Sequence, residues 1–131
     1  MKKFKYVRVP MKDGGTRKML LAYSFYEESY SLRLSLFSCD KENKYHFLFD
    51  ITAETKDSKA IYFRKYPTQY VGTKVLVSHG IDYKKFFEIN YLGIFLDQYG
   101  FAEDGTAYPL MCFNPCTLKQ LPNLKEVNKG E

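Results

Sequence analysis

The chain has 131 residues and a formal net charge of +5, and 45% of its residues are hydrophobic while 27% are charged. This length suits one folded domain, and the composition excludes disordered and collagen-like proteins. No run approaches the roughly 20 consecutive apolar residues of a membrane helix, and the N-terminus lacks a signal-type apolar segment. The sequence therefore predicts a cytoplasmic protein that makes no membrane contact.

The N-terminal part of the chain predicts a β-hairpin. Polar and apolar residues alternate over 3–9 until Pro10 ends the run, which is typical of a strand. The Asp-Gly-Gly sequence at 13–15 accepts the positive φ angles of a tight turn. The apolar run 19–25 should therefore pair with the first strand.

Four runs in the middle of the chain also predict strands. Residues 30–37 and 45–52 alternate between apolar and polar positions and flank a turn at 40–43, so they should pair antiparallel. β-branched and aromatic residues are frequent in 61–66 and 70–79, which favours two further strands.

The region that follows is ambiguous between helix and strand. Asp82 suits a helix N-cap, whereas Gly93 and the surrounding aromatic residues also suit a strand. A short helix near 82–88 followed by a strand fits better, because Asp104 and Gly105 form a hairpin signal before a last strand.

Together these elements predict a mainly β fold. It is a small antiparallel barrel or sandwich of about seven or eight strands with one short helix. We expect a single domain over residues 1–121 and a loose C-terminal tail over 122–131.

The alternating registers also predict a single contiguous core. Its expected members are Leu32, Leu34, Leu36, Phe47, Phe49, Ile51, Ile61, Phe63, Val71, Val75 and Val77. Replacing Phe47 or Phe49 by Ala in such a core should cost about 3 to 5 kcal/mol.

Aromatic and basic residues share the outward positions of two predicted strands. The set consists of Tyr62, Arg64, Tyr66, Tyr70 and Lys74. Tyr rings stack on bases while Arg and Lys neutralise phosphates, so this face predicts a site for single-stranded nucleic acid or another polyanion. The same pairing also occurs as ordinary surface packing, stabilised by cation–π contacts. Exposed Tyr and Arg are equally typical of protein interfaces, so docking on a protein partner is the alternative function.

Phe4, Tyr6 and Arg8 form a second face of this kind on the first strand. A strand with Phe and Tyr on one side usually buries that side. The neighbouring lysines are then expected to protect the strand from edge-to-edge pairing.

The sequence contains no recognisable catalytic motif. Ser78-His79-Gly80 comes nearest, but a histidine in a surface turn is the more common explanation for such a pattern. Cys112 and Cys116 have a three-residue spacing that is compatible with zinc binding together with Cys39 and a histidine, but two inert thiols are the more common explanation. The odd number of cysteines fits reduced thiols better than disulfides. We therefore expect a protein that is not an enzyme and that needs neither cofactor nor metal.

Overall fold

The computed structural model describes residues 4–27, 31–55, 70–73 and 79–129. Over these ranges the fold is mainly β, as predicted, with two antiparallel sheets of four strands each. The first sheet has the order β1 (Val7–Pro10), β2 (Thr16–Phe25), β3 (Leu32–Cys39) and β4 (Tyr45–Asp50). The second contains β5 (Thr52–Ala53), β6 (Tyr70–Thr73), β7 (Gly93–Phe101) and β8 (Ala107–Phe113), in the order β5-β6-β8-β7. The ladders of these described strands do not close into a barrel.

Three short helices accompany the described sheets. They are α1 (Tyr83–Ile89), α2 (Pro115–Leu118) and α3 (Leu124–Lys129). The predicted helix near 82–88 is confirmed as α1, and the Asp82 side chain caps it by accepting a hydrogen bond from the Lys85 N–H at 3.3 Å. None of the described helices is long and apolar enough to cross a membrane.

Both predicted hairpins are present. The turn between β1 and β2 has Gly14 at a φ of +97°, and the turn between β7 and β8 has Gly105 at +86°. An L residue with a Cβ adopts this region at a cost, so the two glycines suit the turns they form.

The two sheets are joined where the chain passes from β4 into β5. Between these strands Ile51 is fully buried, and its N–H donates to the Leu34 carbonyl at 2.9 Å. The Leu34 N–H in turn donates to the Thr52 hydroxyl oxygen at 3.1 Å. Thr52 then pairs with Thr73 of β6, so one continuous segment leaves the first sheet and enters the second.

The main core draws side chains from both sheets and from α1. Of the predicted members, Leu32, Leu34, Leu36, Ile51 and Val71 belong to it. Phe49 packs against it partly buried. Four others, Ile61, Phe63, Val75 and Val77, lie outside the described residues. The largest fully buried side chains are Phe86, Phe87 and Phe113, which the predicted core does not include.

Phe47 is not a core residue, and the prediction was wrong there. In a regular strand Phe47 and Phe49 would share one face, because they are two residues apart. A β-bulge at Leu48 breaks this alternation, since Leu36 pairs with Phe49. The next residue of β3, Phe37, pairs with Phe47. Paired residues share a face, so Phe47 packs on Phe37 at 5.8 Å between ring centroids and remains 52% exposed.

Helix α3 lies within the segment that the sequence predicts to be a loose tail. It covers a second apolar cluster formed by Leu20, Ala22, Phe37 and Val127. Alternate residues of a strand face opposite sides, so Leu20 and Ala22 of β2 point away from the main core. Val127 is fully buried over them, so α3 packs on β2.

These contrasting environments predict different costs for two Phe→Ala replacements. Phe87 is 1% exposed and contacts the rings of Tyr83, Phe86, Phe95 and Phe113. Phe87→Ala should lower the free energy of unfolding by about 3 to 5 kcal/mol, because it leaves a cavity. Phe47→Ala should lower it by about 1 kcal/mol or less. Equilibrium unfolding in urea measures both, and equal losses would contradict the assignment of the bulge at Leu48.

Candidate functional site

The free edge of β1 is covered by the segment that carries α1. The Asp82 N–H donates to the Pro10 carbonyl at 2.9 Å, and the Lys12 N–H donates to the Gly80 carbonyl at 2.8 Å. These bonds satisfy backbone groups that an edge strand otherwise exposes. They also bring the C-terminal end of α1 alongside the N-terminal half of β1.

Asn90, the C-cap of α1, completes this contact with its side-chain amide. Its Oδ1 accepts from the Arg8 N–H at 3.3 Å, and its Nδ2 donates to the Arg8 carbonyl at 2.7 Å. Nδ2 also donates to the Phe86 carbonyl at 2.9 Å. The amide therefore takes the place of a neighbouring strand, and it fixes Arg8 next to the end of the helix.

Tyr91 follows Asn90 and has an unusual backbone conformation. Its N–H donates to the Glu88 carbonyl at 3.1 Å, and the Leu92 N–H donates to the Phe87 carbonyl at 3.0 Å. This pair of bonds is the Schellman motif, whose left-handed residue is usually Gly. Here it is a tyrosine at φ +52°, and 76% of that residue is exposed. A bulky residue in this region is a conformational outlier.

The last element at this site is α2, which contacts the backbone of Tyr91 and Leu92. The Thr117 hydroxyl donates to the Tyr91 carbonyl at 2.7 Å, and the Asn114 N–H donates to the Leu92 carbonyl at 2.7 Å. The Asn114 side chain caps α2 by accepting from the Cys116 N–H at 3.0 Å. The backbone around Tyr91 is thus held on both sides.

A cleft of about 590 Å³ opens between these elements. Its lining comes from the start of β1, the end of α1 and α2, and consists of Lys5, Tyr6, Val7, Arg8, Ile89, Asn90, Tyr91, Asn114, Cys116, Thr117, Gln120 and Leu121. This volume is within the range of pockets that hold small molecules.

The cleft is cationic. Lys5 and Arg8 are exposed, and neither makes an ion pair with a carboxylate in the described part of the chain. Arg8 also lies directly opposite Lys18 on β2, which is a like-charge pair. No Asp or Glu is among the described lining residues. A concave surface with charge of one sign concentrates ligands of the opposite sign.

Tyr6 supplies a second exposed ring. Its hydroxyl donates to the Cys39 sulfur at 3.5 Å, and 38% of the residue is exposed. The hydrogen bond to Cys39 raises the pKa of Tyr6 above its usual range.

The face predicted from the sequence lies mostly outside the described residues. This applies to Tyr62, Arg64, Tyr66 and Lys74, while the backbone of Tyr70 lies in β6 opposite Cys112. That face stays a prediction.

The second face of the sequence analysis contributes part of the cleft. Tyr6 and Arg8 line it, whereas Phe4 is partly buried and packs on the Tyr45 ring. Asn90 and Tyr91 were missed, because nothing in their sequence neighbourhood marks a helix end that lacks Gly.

The histidine and cysteine side chains that could be reactive do not gather into one site within the described residues. His79 stacks on Phe49 at 3.8 Å between ring centroids and hydrogen-bonds the Tyr83 hydroxyl. Cys39, Cys112 and Cys116 are free thiols. Among the described residues, no three acidic, His or Cys side chains come together in a way that suits a metal ion.

Comparisons with protein-family models, with curated proteins and with solved structures found no match to this chain.

Replacing Asn90 tests whether its amide holds the cleft together. Asn90→Asp keeps the size of the side chain but removes the donor to the Arg8 and Phe86 carbonyls. The loss should be about 1 to 2 kcal/mol in the free energy of unfolding. Asn114→Asp is the matched control, because the Asn114 side chain only accepts a bond from Cys116. An Asn90→Asp variant as stable as this control in urea would contradict the role of the amide.

Replacing Tyr91 tests the strain at the end of α1. Tyr91→Gly should raise the free energy of unfolding by about 1 kcal/mol, because Gly adopts positive φ without steric cost. The melting temperature should rise by roughly 4 °C. Tyr91→Ala is the control, since it removes the ring but keeps a Cβ and should give no such gain. A destabilised Gly variant in thermal melts would contradict the assignment.

Proposed function

We propose that this protein is a non-enzymatic binding protein that engages single-stranded nucleic acid or another polyanion through the cleft. The observation that supports this most strongly is the combination of Lys5 and Arg8, which make no ion pair among the described residues, with the exposed rings of Tyr6 and Tyr91. Cations neutralise phosphates, and rings provide faces for stacking.

The like-charge pair on the first sheet adds to this argument. Arg8 and Lys18 oppose each other directly across β1 and β2, an arrangement that destabilises a sheet. A bound anion relieves that repulsion. Binding is thus favoured both by direct attraction and by removal of an unfavourable interaction within the protein.

The chemistry of the lining also favours binding over catalysis. Its described members include amides, hydroxyls and one thiol, but no His, Asp or Glu that would act as a general base. The one thiol, Cys116, has no imidazole beside it among those lining residues.

Removing the two cations should weaken binding and make it less dependent on salt. In the Lys5→Ala, Arg8→Ala double variant, the plot of log K against log salt should become shallower by about 1.4, because each lost phosphate contact on a single strand contributes about 0.7. Affinity at low salt should fall about tenfold. Fluorescence anisotropy with a labelled single-stranded oligonucleotide measures both quantities.

The matched control removes two exposed cations that do not line the cleft. The Lys12→Ala, Lys125→Ala variant loses the same net charge. Its affinity should stay within about threefold of the unchanged protein. An equal loss in both variants would assign binding to overall charge, and absence of binding at low salt would remove the proposal.

A second candidate function is docking on another protein, and β7 favours it. In the described part of the second sheet β7 is an edge strand, and Ile94, Tyr99 and Phe101 on it are 74%, 54% and 51% exposed. Asp97 is its one charged residue, so the lysines that commonly protect an edge are missing. Such an edge suits an extended partner segment that adds as a further strand.

Lysines introduced on β7 should abolish docking of this kind. The Ile94→Lys, Tyr99→Lys variant should lose a protein partner that the unchanged chain retains after nuclease treatment, because the charges oppose strand addition. Phe47→Lys is the control, since Phe47 is similarly exposed on the first sheet. If the β7 variant still bound the partner after nuclease treatment, the edge of β7 would be excluded as the docking site.

A further inference from the structure

We infer that the Tyr91 ring is a stacking platform for an unpaired base, so that the polyanion held by the cleft is single-stranded nucleic acid. This inference rests on the proposed function and narrows its ligand class. It depends on three observations: the strained backbone of Tyr91, the exposure of its side chain and the presence of Tyr91 and Arg8 on the same cleft.

The backbone conformation sets Tyr91 apart from an ordinary surface tyrosine. The Schellman bonds at the end of α1 require a left-handed residue, and Gly meets that requirement without strain. A tyrosine there lowers stability and buries little surface, because 76% of it remains exposed. A strained residue of this kind, held in place by its surroundings, is a sign of function.

The ring is presented on a fixed backbone. The Thr117 hydroxyl holds the Tyr91 carbonyl, and the following residue, Leu92, is fully buried. No other ring of the described residues stacks on Tyr91. Its face is therefore open to a ligand, and little entropy is lost on binding because the backbone is already ordered.

The surroundings of the ring match a nucleotide. Asn90 bonds to the backbone of Arg8 and directly precedes Tyr91, and both Arg8 and Tyr91 line the cleft. Arg binds phosphate oxygens through its planar fork of donors, while the ring stacks on the base. Unpaired nucleotides expose their base faces, whereas a duplex keeps them stacked inside. The cleft is thus suited to a single strand.

Stacking of this kind is tolerant of sequence, because every base has an aromatic face. The cleft should therefore bind oligonucleotides of different composition with similar affinity. Most of the discrimination should be between strands with bases and strands without them.

An abasic oligonucleotide separates stacking from charge. It has the same phosphates as a normal strand of equal length but offers nothing for Tyr91 to stack on. The unchanged protein should bind a normal single strand roughly tenfold more tightly than the abasic strand. Tyr91→Gly should lose most of this difference and keep only what the Tyr6 ring contributes, whereas Tyr91→Phe should keep it because the ring remains. Anisotropy titrations with both probes at one salt concentration measure the ratios.

The outcomes distinguish this inference from the proposed function. If the unchanged protein binds both strands equally, or if Tyr91→Gly keeps the full preference for the normal strand, Tyr91 is not a stacking platform and the polyanion proposal stands alone. If the unchanged protein binds neither strand at low salt, both proposals fail. The thermal stability expected of Tyr91→Gly ensures that a loss of preference is not a loss of fold.

Discussion

Both the core and the cleft depend on the hydrogen bonds that cover the free edge of β1. The segment that covers this edge bonds to the backbone of β1 through its loop and through the Asn90 amide. This segment includes α1, whose Phe86 and Phe87 are buried in the core shared by both sheets. One element therefore closes an edge, fills the core and presents Tyr91 at the surface. The free-energy cost of the strained backbone at Tyr91 is offset by these other contacts of α1.

Much of the fold followed from local sequence signals. Gly14 and Gly105 marked the two hairpin turns, and Asp82 marked the start of α1, because each residue type has a direct conformational reason to be there. The predicted burial of Phe47 was wrong because strict alternation assumes a strand ladder without interruption. The β-bulge at Leu48 leaves no distinct signal in the sequence. Helix α3 was missed because its few apolar residues find a partner only once β2 exists.

The candidate site was much harder to predict. The sequence indicates that Tyr6 and Arg8 belong to a face of aromatic and basic residues. Their exposure, however, depends on how residues 80–90 pack along β1, and this contact is distant in sequence. Asn90 resembles any polar residue at a helix end until its amide is seen against the Arg8 backbone. Tyr91 has an unremarkable sequence context, and only the hydrogen bonds at the end of α1 reveal its positive φ. A site built from such long-range contacts cannot be predicted from the spacing of residues in the sequence.

The most direct test of the account is to map the contact surface of a single-stranded oligonucleotide by NMR. In ¹⁵N-labelled protein, titration should move the backbone amide resonances of Arg8, Tyr91 and Thr117 most strongly, because these residues surround the cleft. The amides of Ile94 and Tyr99 on β7 should stay in place. Shifts confined to β7, or no shifts around the cleft at a concentration where binding is saturated, would contradict the assignment of the cleft as the binding site.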